Sequence, residues 1–303
     1  VHVYYSDTFT FPLPDGHRFP LVKYRLLRER ILQQPATCGA ELRLAPRATR
    51  DDLLLVHDEG YVDAFCAGQL SKEHNQRIGF PWSQELVERT LRSAGGTIAA
   101  VRAVLRGESP DAAAYLAGGT HHARRDRGAG YCVFNDVAVG ARIAQREFSI
   151  GRVLVVDTDV HQGDGTASIF EGDDSVFTFS IHGAQNFPSE KATSDLDIAL
   201  PDGTTDEAFL RELARGLDTS FSRARPEFVL YLSGADALVG DRLGRLRVSK
   251  AGLQERDRMV LAACGQAGVE VVTVMGGGYG GVIAETVEVY EASVLATLGY
   301  SRG

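Results

Sequence analysis

Paired cysteines are missing from this sequence. Its four cysteines (Cys38, Cys66, Cys132, Cys264) form no CxxC pair and no zinc-finger spacing. Four reduced thiols in a cytosolic protein are expected. Long apolar runs are missing too: none approaches 18 residues, so no membrane-spanning helix is expected. The opening VHVYYSDTF has neither the basic nor the apolar region of a signal peptide. A cytoplasmic protein is expected, and the start at Val rather than Met suggests that a few residues were trimmed. Basic residues are in deficit, 32 against 40 acidic, for a formal charge of −8. That argues against direct nucleic-acid binding, which depends on neutralising phosphates. No repeat, low-complexity tract or Pro/Gly/Ser linker interrupts the chain.

What is present suits a large globular domain. The 303 residues are 44% hydrophobic and 24% charged, which excludes wholesale disorder and permits a sizeable core without staples. A single domain over 1–303 is the economical reading. Short apolar runs at Ala112–Leu116, Val153–Val156, Val176–Ile181, Phe228–Leu232 and Val269–Met275 predict strands buried on both faces of a parallel sheet. Helical periodicity covers Ser83–Arg106 (with Ser83 as N-cap), Asp206–Arg223, Ser249–Ala267 and Val282–Leu298. Alternation of the two predicts an α/β domain with a mostly parallel sheet.

Polar clusters sit at the ends of all five strand runs: Gly118-Gly119-Thr120-His121-His122, Asp157-Thr158-Asp159-Val160-His161, Ser180-Ile181-His182, Ser233-Gly234-Ala235-Asp236 and Gly276-Gly277-Gly278-Tyr279-Gly280. Parallel sheets carry their sites beyond the carboxyl ends of their strands, so the clusters should converge on one edge. Side chains two apart at a strand end point the same way, so Asp159 and His161 can share a metal with Asp157 on the same side. An EF-hand is excluded because position six is Gln162 and position twelve is not Glu. Taken alone, Asp-x-Asp-x-His is as readily a polar loop, and Asp236 as readily a helix cap. Together, two carboxylates and an imidazole with an open position suit a hydrolytic metal site. His121 and His122 suit acid–base work if carboxylates fix their tautomers, and Asp157 and Asp164 are the acids left over. The triple glycine before Tyr279 is followed by no phosphate-loop residues. It should allow close backbone approach and let the phenol swing, as an oxyanion donor or simply as a surface Tyr.

The ordered set GGTHH, GAGYCVFND, VVDTDVHQGDG, FSIH, LSGAD and MGGGYG resembles the zinc-dependent histone deacetylase family of the arginase-like deacetylase superfamily. The segments His17-Arg-Phe-Pro, Arg77-Ile-Gly-Phe-Pro-Trp82 and Asn186-Phe-Pro are most similar to its class IV branch and bacterial members. The resemblance implies an arginase-like fold with helices on both sheet faces. It implies Asp159, His161 and Asp236 as ligands of Zn2+ (or Fe2+), and His122 as the base and acid, paired with Asp164. His121 would be its electrostatic partner, supported by Asp157, and Tyr279 would polarise the carbonyl. Gly130, Tyr131, Phe187, Leu243 and Gly277 would line the substrate tunnel, and Lys23 the product exit, where many members carry Arg. Structural K+ would use Asp157, the backbone of Asp159 and His161, Ser180 and Ile181. A second monovalent site would fall at Phe170, Asp173 and Val176. The implied reaction is metal-assisted deacylation of an acylated lysine of a protein or peptide. Acetylpolyamines or other small acylamines are the alternative substrates; a non-catalytic acyl-lysine-binding module and a binuclear ureohydrolase are weaker rivals. A bacterial protein is implied, and an oligomer is compatible.

Overall fold

The computed structural model describes residues 1–34 and 39–302. Its elements in chain order begin with β1 (His2–Tyr5), α1 (Val22–Gln33), β2 (Glu41–Leu44), α2 (Arg50–Leu53), α3 (Glu59–Cys66), α4 (Lys72–Ile78) and α5 (Gln84–Leu105). They continue with β3 (Ala112–Tyr115), α6 (Asp136–Phe148), β4 (Val153–Asp157), α7 (Asp164–Phe170), β5 (Val176–Gly183) and β6 (Leu196–Leu200). The last are α8 (Asp206–Ala224), β7 (Phe228–Ser233), α9 (Lys250–Ala267), β8 (Glu270–Met275) and α10 (Ile283–Leu298).

The eight strands form one sheet in the order β2-β1-β3-β8-β7-β4-β5-β6, and every neighbouring pair is parallel. All five predicted strands form, and they are the five adjacent inner ones. Their continuous apolar runs follow from burial on both faces. Val153 and Val155 of β4 and Phe228, Leu230 and Leu232 of β7 pack toward α5 and α6. Leu154 and Val156, with Val229 and Tyr231, pack toward the face covered by α8, α9 and α10. β1, β2 and β6 were not anticipated. ELRL and LDIAL form the two sheet edges, where partial solvation mixes polar residues into the strand and removes the apolar signal; HVYY is paired on both sides and mostly buried, but it is only four residues long and opens on a histidine. The Ser83 cap is in place: its hydroxyl accepts from the Leu86 amide at 3.1 Å.

Cys66, Cys132 and Cys264 are free thiols, the last two buried; Cys38 lies outside the described residues. No helix among the described residues is long and apolar enough to cross a membrane.

Candidate active site

Each functional side chain hangs from the carboxyl end of an inner strand. The β3 end supplies His121 and His122, β8 supplies Tyr279, β7 supplies Asp236, and β4 supplies Asp157, Asp159 and His161. In the sheet, β8 and β7 lie between β3 and β4, so the two histidine-bearing loops must lean toward each other over roughly three strand spacings of ~4.8 Å. Glycine makes the approach possible. A Cβ on Gly119 (φ +67°) would lie 2.2 Å from the Met275 carbonyl oxygen, where the β3 and β8 loops touch.

Asp159, His161 and Asp236 are all buried, and one potential ligand atom from each falls within 4.8 Å of the others. The Asp159 carboxylate accepts from the amides of His161 (2.9 Å) and Gly277 (2.5 Å), and Asp236 accepts from the Val160 amide at 3.0 Å. The second Asp236 oxygen, Oδ2, lies 3.1 Å from His161 Nδ1 but has no aligned donor. A buried carboxylate oxygen left without a hydrogen bond is costly, and a divalent ion shared with Asp159 and His161 removes that cost. Gly277 shapes the cradle, since a Cβ there would sit 1.9 Å from that same oxygen. The donor set and its setting therefore fit a catalytic divalent metal. Gly277 turns its amide to Asp159 and its carbonyl to the Ala235 amide (2.6 Å), so its hydrogen bonds serve the ligand loops.

The two histidines beside the triad differ in environment. His121 Nδ1 is 2.6 Å from Asp157, and His122 Nδ1 is 2.7 Å from Asp164. Burial works against a charge on His121, but Asp157 and Asp159 outweigh it and push its pKa up to about 9. Burial, reinforced by charged His121, pushes His122 down to about 4, against the pull of Asp164. The two settings push the neighbouring imidazoles in opposite directions, the kind of separation that assigns acid–base roles. Their ring centroids are 4.1 Å apart, and His122 is 5.8 Å from His161.

Tyr279 lies 6.4 Å from His161, ring centre to ring centre. Burial raises its phenol well above the usual value, so it stays a donor. The expectation of a swinging backbone is corrected by the structure. The Tyr279 amide donates to Asp241 (2.6 Å) and its carbonyl accepts from Arg242 Nε (2.9 Å), which clamp it from both sides. The preceding glycines serve close approach to Asp159, Asp236 and Tyr290.

Tyr131, Phe187 and Leu243 line one mouth of about 400 Å³ with Gly130, His122, His161 and Tyr279. Phe187 is 47% exposed and stands edge-on to His122 at 4.9 Å. Gly130 packs against the His122 ring, 2.7 Å from where its own Cβ would be. Lys23 is buried behind Tyr279, its ammonium 5.0 Å from that ring. Ser180 pairs with Asp157 in the β4–β5 ladder, while Ile181 pairs with Ile198 of β6; the Ser180 hydroxyl is 2.9 Å from His182 Nδ1. Phe170, Asp173 and Val176 share one turn, through bonds from the Asp173 amide to the Phe170 carbonyl and from the Val176 amide to the Asp173 carbonyl. Arg142 pairs with Asp173 at 2.5 Å there.

Several residues that hold the site were not read from the sequence. Arg124 grips the second Asp164 oxygen at 3.0 Å; it follows His122 by two residues in an irregular loop, and no local pattern marks it. Asp136 accepts from the amides of Gly119 (3.1 Å) and Thr120 (2.7 Å) and so fixes the turn before the histidines. Asp241 joins the Tyr279 amide to those of Leu243 (2.8 Å) and Gly244 (2.9 Å). Arg256 is fully buried, pairs with Asp257, and donates to the Gly234 carbonyl in the loop bearing Asp236. No local motif announces the last two.

A parallel α/β sheet with two carboxylates and an imidazole at its strand ends, flanked by carboxylate-paired histidines and a tyrosine, defines a metal-dependent hydrolase. Residues 16–295 match the histone deacetylase domain, and the chain belongs to that family. It is 45% identical over 277 residues to an uncharacterized protein of Picosynechococcus, covering 91% of each chain. It is 32% identical over 284 residues to a histone deacetylase-like amidohydrolase of Pseudomonas aeruginosa, covering 88% of this chain and 74% of that one. The crystal structure of the HDA15 HD domain shares the fold, with a TM-score of 0.81 at 23% identity over 98% of this chain and 90% of that one. The chain is accordingly a metal-dependent amidohydrolase acting on an acyl-amide bond.

Proposed function

We propose that the protein removes an acyl group from a lysine side chain of a protein or peptide, using Zn2+ held by Asp159, His161 and Asp236. The observation that carries this is the joint placement of Asp159, His161, His122 and Tyr279 around one cavity, with Asp236 beside the first two and Asp164 behind His122. When bound there, the ion supplies Lewis acidity to the acyl oxygen and acidity to the attacking water. His122 takes the water proton at Nε2, since Nδ1 is committed to Asp164, and returns it to the leaving amine. Charged His121 and the Tyr279 hydroxyl stabilise the oxyanion. Tyr131, Phe187 and Leu243 grip the methylene stem of the acylated lysine. K+ at Asp157, Ser180 and Ile181, with the backbone of Asp159 and His161, would buffer the buried acids, and a second would sit by Phe170, Asp173 and Val176. The bacterial or class IV branch of the family and a cytoplasmic setting complete the reading.

The acetylpolyamine alternative is less well supported by the mouth. No acidic side chain lines it among the described residues, whereas Arg77 and Arg245 do. Each is exposed and paired with an acid, Glu73 at 2.7 Å and Asp202 at 3.1 Å, so the mouth offers a polycation no free anion. The net charge of −8 is carried elsewhere. The test is hydrolysis by metal-defined protein of acetyl-lysine peptides against acetylated polyamines. Peptide turnover should dominate, and polyamine turnover in excess would reverse the choice of substrate.

A further inference from the structure

Behind the reacting groups, the inner cavity is lined by two cations, Lys23 and Arg89. Both are at least nine-tenths buried. The Lys23 ammonium donates to the Gly278 carbonyl (3.1 Å) and the Tyr290 hydroxyl (3.0 Å). Aromatic rings of Phe19, Tyr24, Tyr279 and Tyr290 surround it at 5.0–5.4 Å. Arg89, from the second turn of α5, donates Nη1 to Ser6 Oγ (2.8 Å) and, more weakly, to the Tyr115 hydroxyl (3.4 Å). Among the described residues no acceptor meets its Nε or Nη2, and no carboxylate comes within ion-pair distance of Lys23 or Arg89; Asp236, Asp241 and Asp159 act on Lys23 only from farther off.

Elsewhere the chain gives its buried guanidinium an acid. Arg256, fully buried, holds Asp257 through Nε (2.9 Å) and Nη2 (2.8 Å). Burying a cation without an anion is expensive, and placing two such cations on one cavity adds mutual repulsion. That cavity, of about 70 Å³, is continuous with His121, His122, Asp159, His161 and Tyr279. A single water needs about 10–15 Å³ on such a measure, so a short chain of atoms fits.

We propose that Lys23 and Arg89 form a carboxylate subsite, and that the acyl group this site takes best is a short dicarboxylic one. The proposal rests on the amidohydrolase reading above. The amide carbonyl lies at the Asp159–His161–Asp236 triad and the free carboxylate between the two cations. Hydrolysis breaks the amide C–N bond, forms a C–O bond to water, and releases the dicarboxylate and the lysine amine; no oxidant or reductant enters. A guanidinium fork and an ammonium together match a carboxylate by charge-assisted bonds. A neutral chain of equal length would strip their water and give nothing back.

The test compares glutaryl-lysine with pentanoyl-lysine in one peptide, acyl groups that differ only in a terminal carboxylate or methyl, using the zinc-loaded full chain. The expected kcat/KM ratio is about tenfold or more in favour of glutaryl, one charge-assisted interaction's worth. Arg89→Gln should collapse that ratio, and Lys23→Met should lower it. Calorimetric titration with glutarate against pentanoate needs no turnover. Glutarate should bind more tightly to the native protein and lose that advantage in Arg89→Gln. Arg89-dependent glutarate binding without hydrolysis of either peptide would keep the subsite and sink the amidohydrolase reading. Pentanoyl and pentanoate equalling or beating their dicarboxylic counterparts would overturn the subsite itself. If Arg89→Gln does not fold, Lys23→Met read in the same titration decides between these outcomes.

Discussion

Replacing Tyr279 with Phe isolates one atom of the proposed chemistry. The Tyr279 hydroxyl makes no hydrogen bond to any described residue, while its backbone is clamped by Asp241 and Arg242. Deleting the oxygen therefore breaks no internal bond and leaves the ring's packing against Phe19 and Tyr131 in place. Stability should change by no more than about 0.5 kcal/mol. Metal content should not change, because Tyr279 is not among the ligands. Activity should fall steeply, since one oxyanion donor is worth about 3 kcal/mol, or ~10²–10³ in kcat. The assay is steady-state hydrolysis of an acyl-lysine peptide by native and Tyr279→Phe protein of equal metal content, with thermal melts alongside. A drop in kcat smaller than about tenfold, or a loss expressed only in KM, would refute the assignment of Tyr279 as oxyanion donor.

Four further outcomes are expected. Asp164→Asn weakens the orientation of His122 and leaves Arg124 without its anion, and should cost about 10–100-fold in kcat/KM, read by the same peptide assay. Gly277→Ala forces a Cβ onto Asp236 Oδ2, and should lower divalent-metal affinity in competition with a chelator. Metal removal should abolish hydrolysis and lower the melting temperature, because an ion at 100 times its Kd contributes about 2.7 kcal/mol. Lys23 gives a pH signature: burial pushes its pKa down from 10.5 to about 8. Its proton therefore costs folding stability below pH 8, and the cost fades as pH rises from about 8 to 10.5. Native protein should gain up to ~3 kcal/mol on Lys23→Met across that window in paired denaturant titrations; a flat difference would contradict the burial argument.

The sequence was most informative where burial is symmetric or chemistry is dense. Val153–Val156 and Phe228–Leu232 read as strands because both faces are apolar, and Ser83 read as a cap because its hydroxyl replaces a missing helix partner. β2 and β6 escaped because edge strands are half solvated and carry mixed residues, and β1 because it is four residues long and opens on a buried histidine. The site residues that are themselves reactive stand in short motifs, whereas Asp241 and Arg256 act through loops contributed by distant segments and leave no local pattern.

From the sequence alone came the strand-end chemistry: two carboxylates and an imidazole fit for a metal, two histidines with acids to spare, and a tyrosine after glycines. Covalent spacing and the period-two alternation of strands suffice for that. The family resemblance already implied Asp164 for His122 and Asp157 for His121; the residues' spacing alone did not, because β8 and β7 intervene between β3 and β4 and only packing brings His122 to Asp164. Tertiary structure alone showed that Tyr279 is clamped, since Asp241 and Arg242 reach it from 38 and 37 residues away. And it placed Arg89 and Lys23 on one cavity with no carboxylate within ion-pair distance of either, a long-range electrostatic arrangement that no linear pattern encodes.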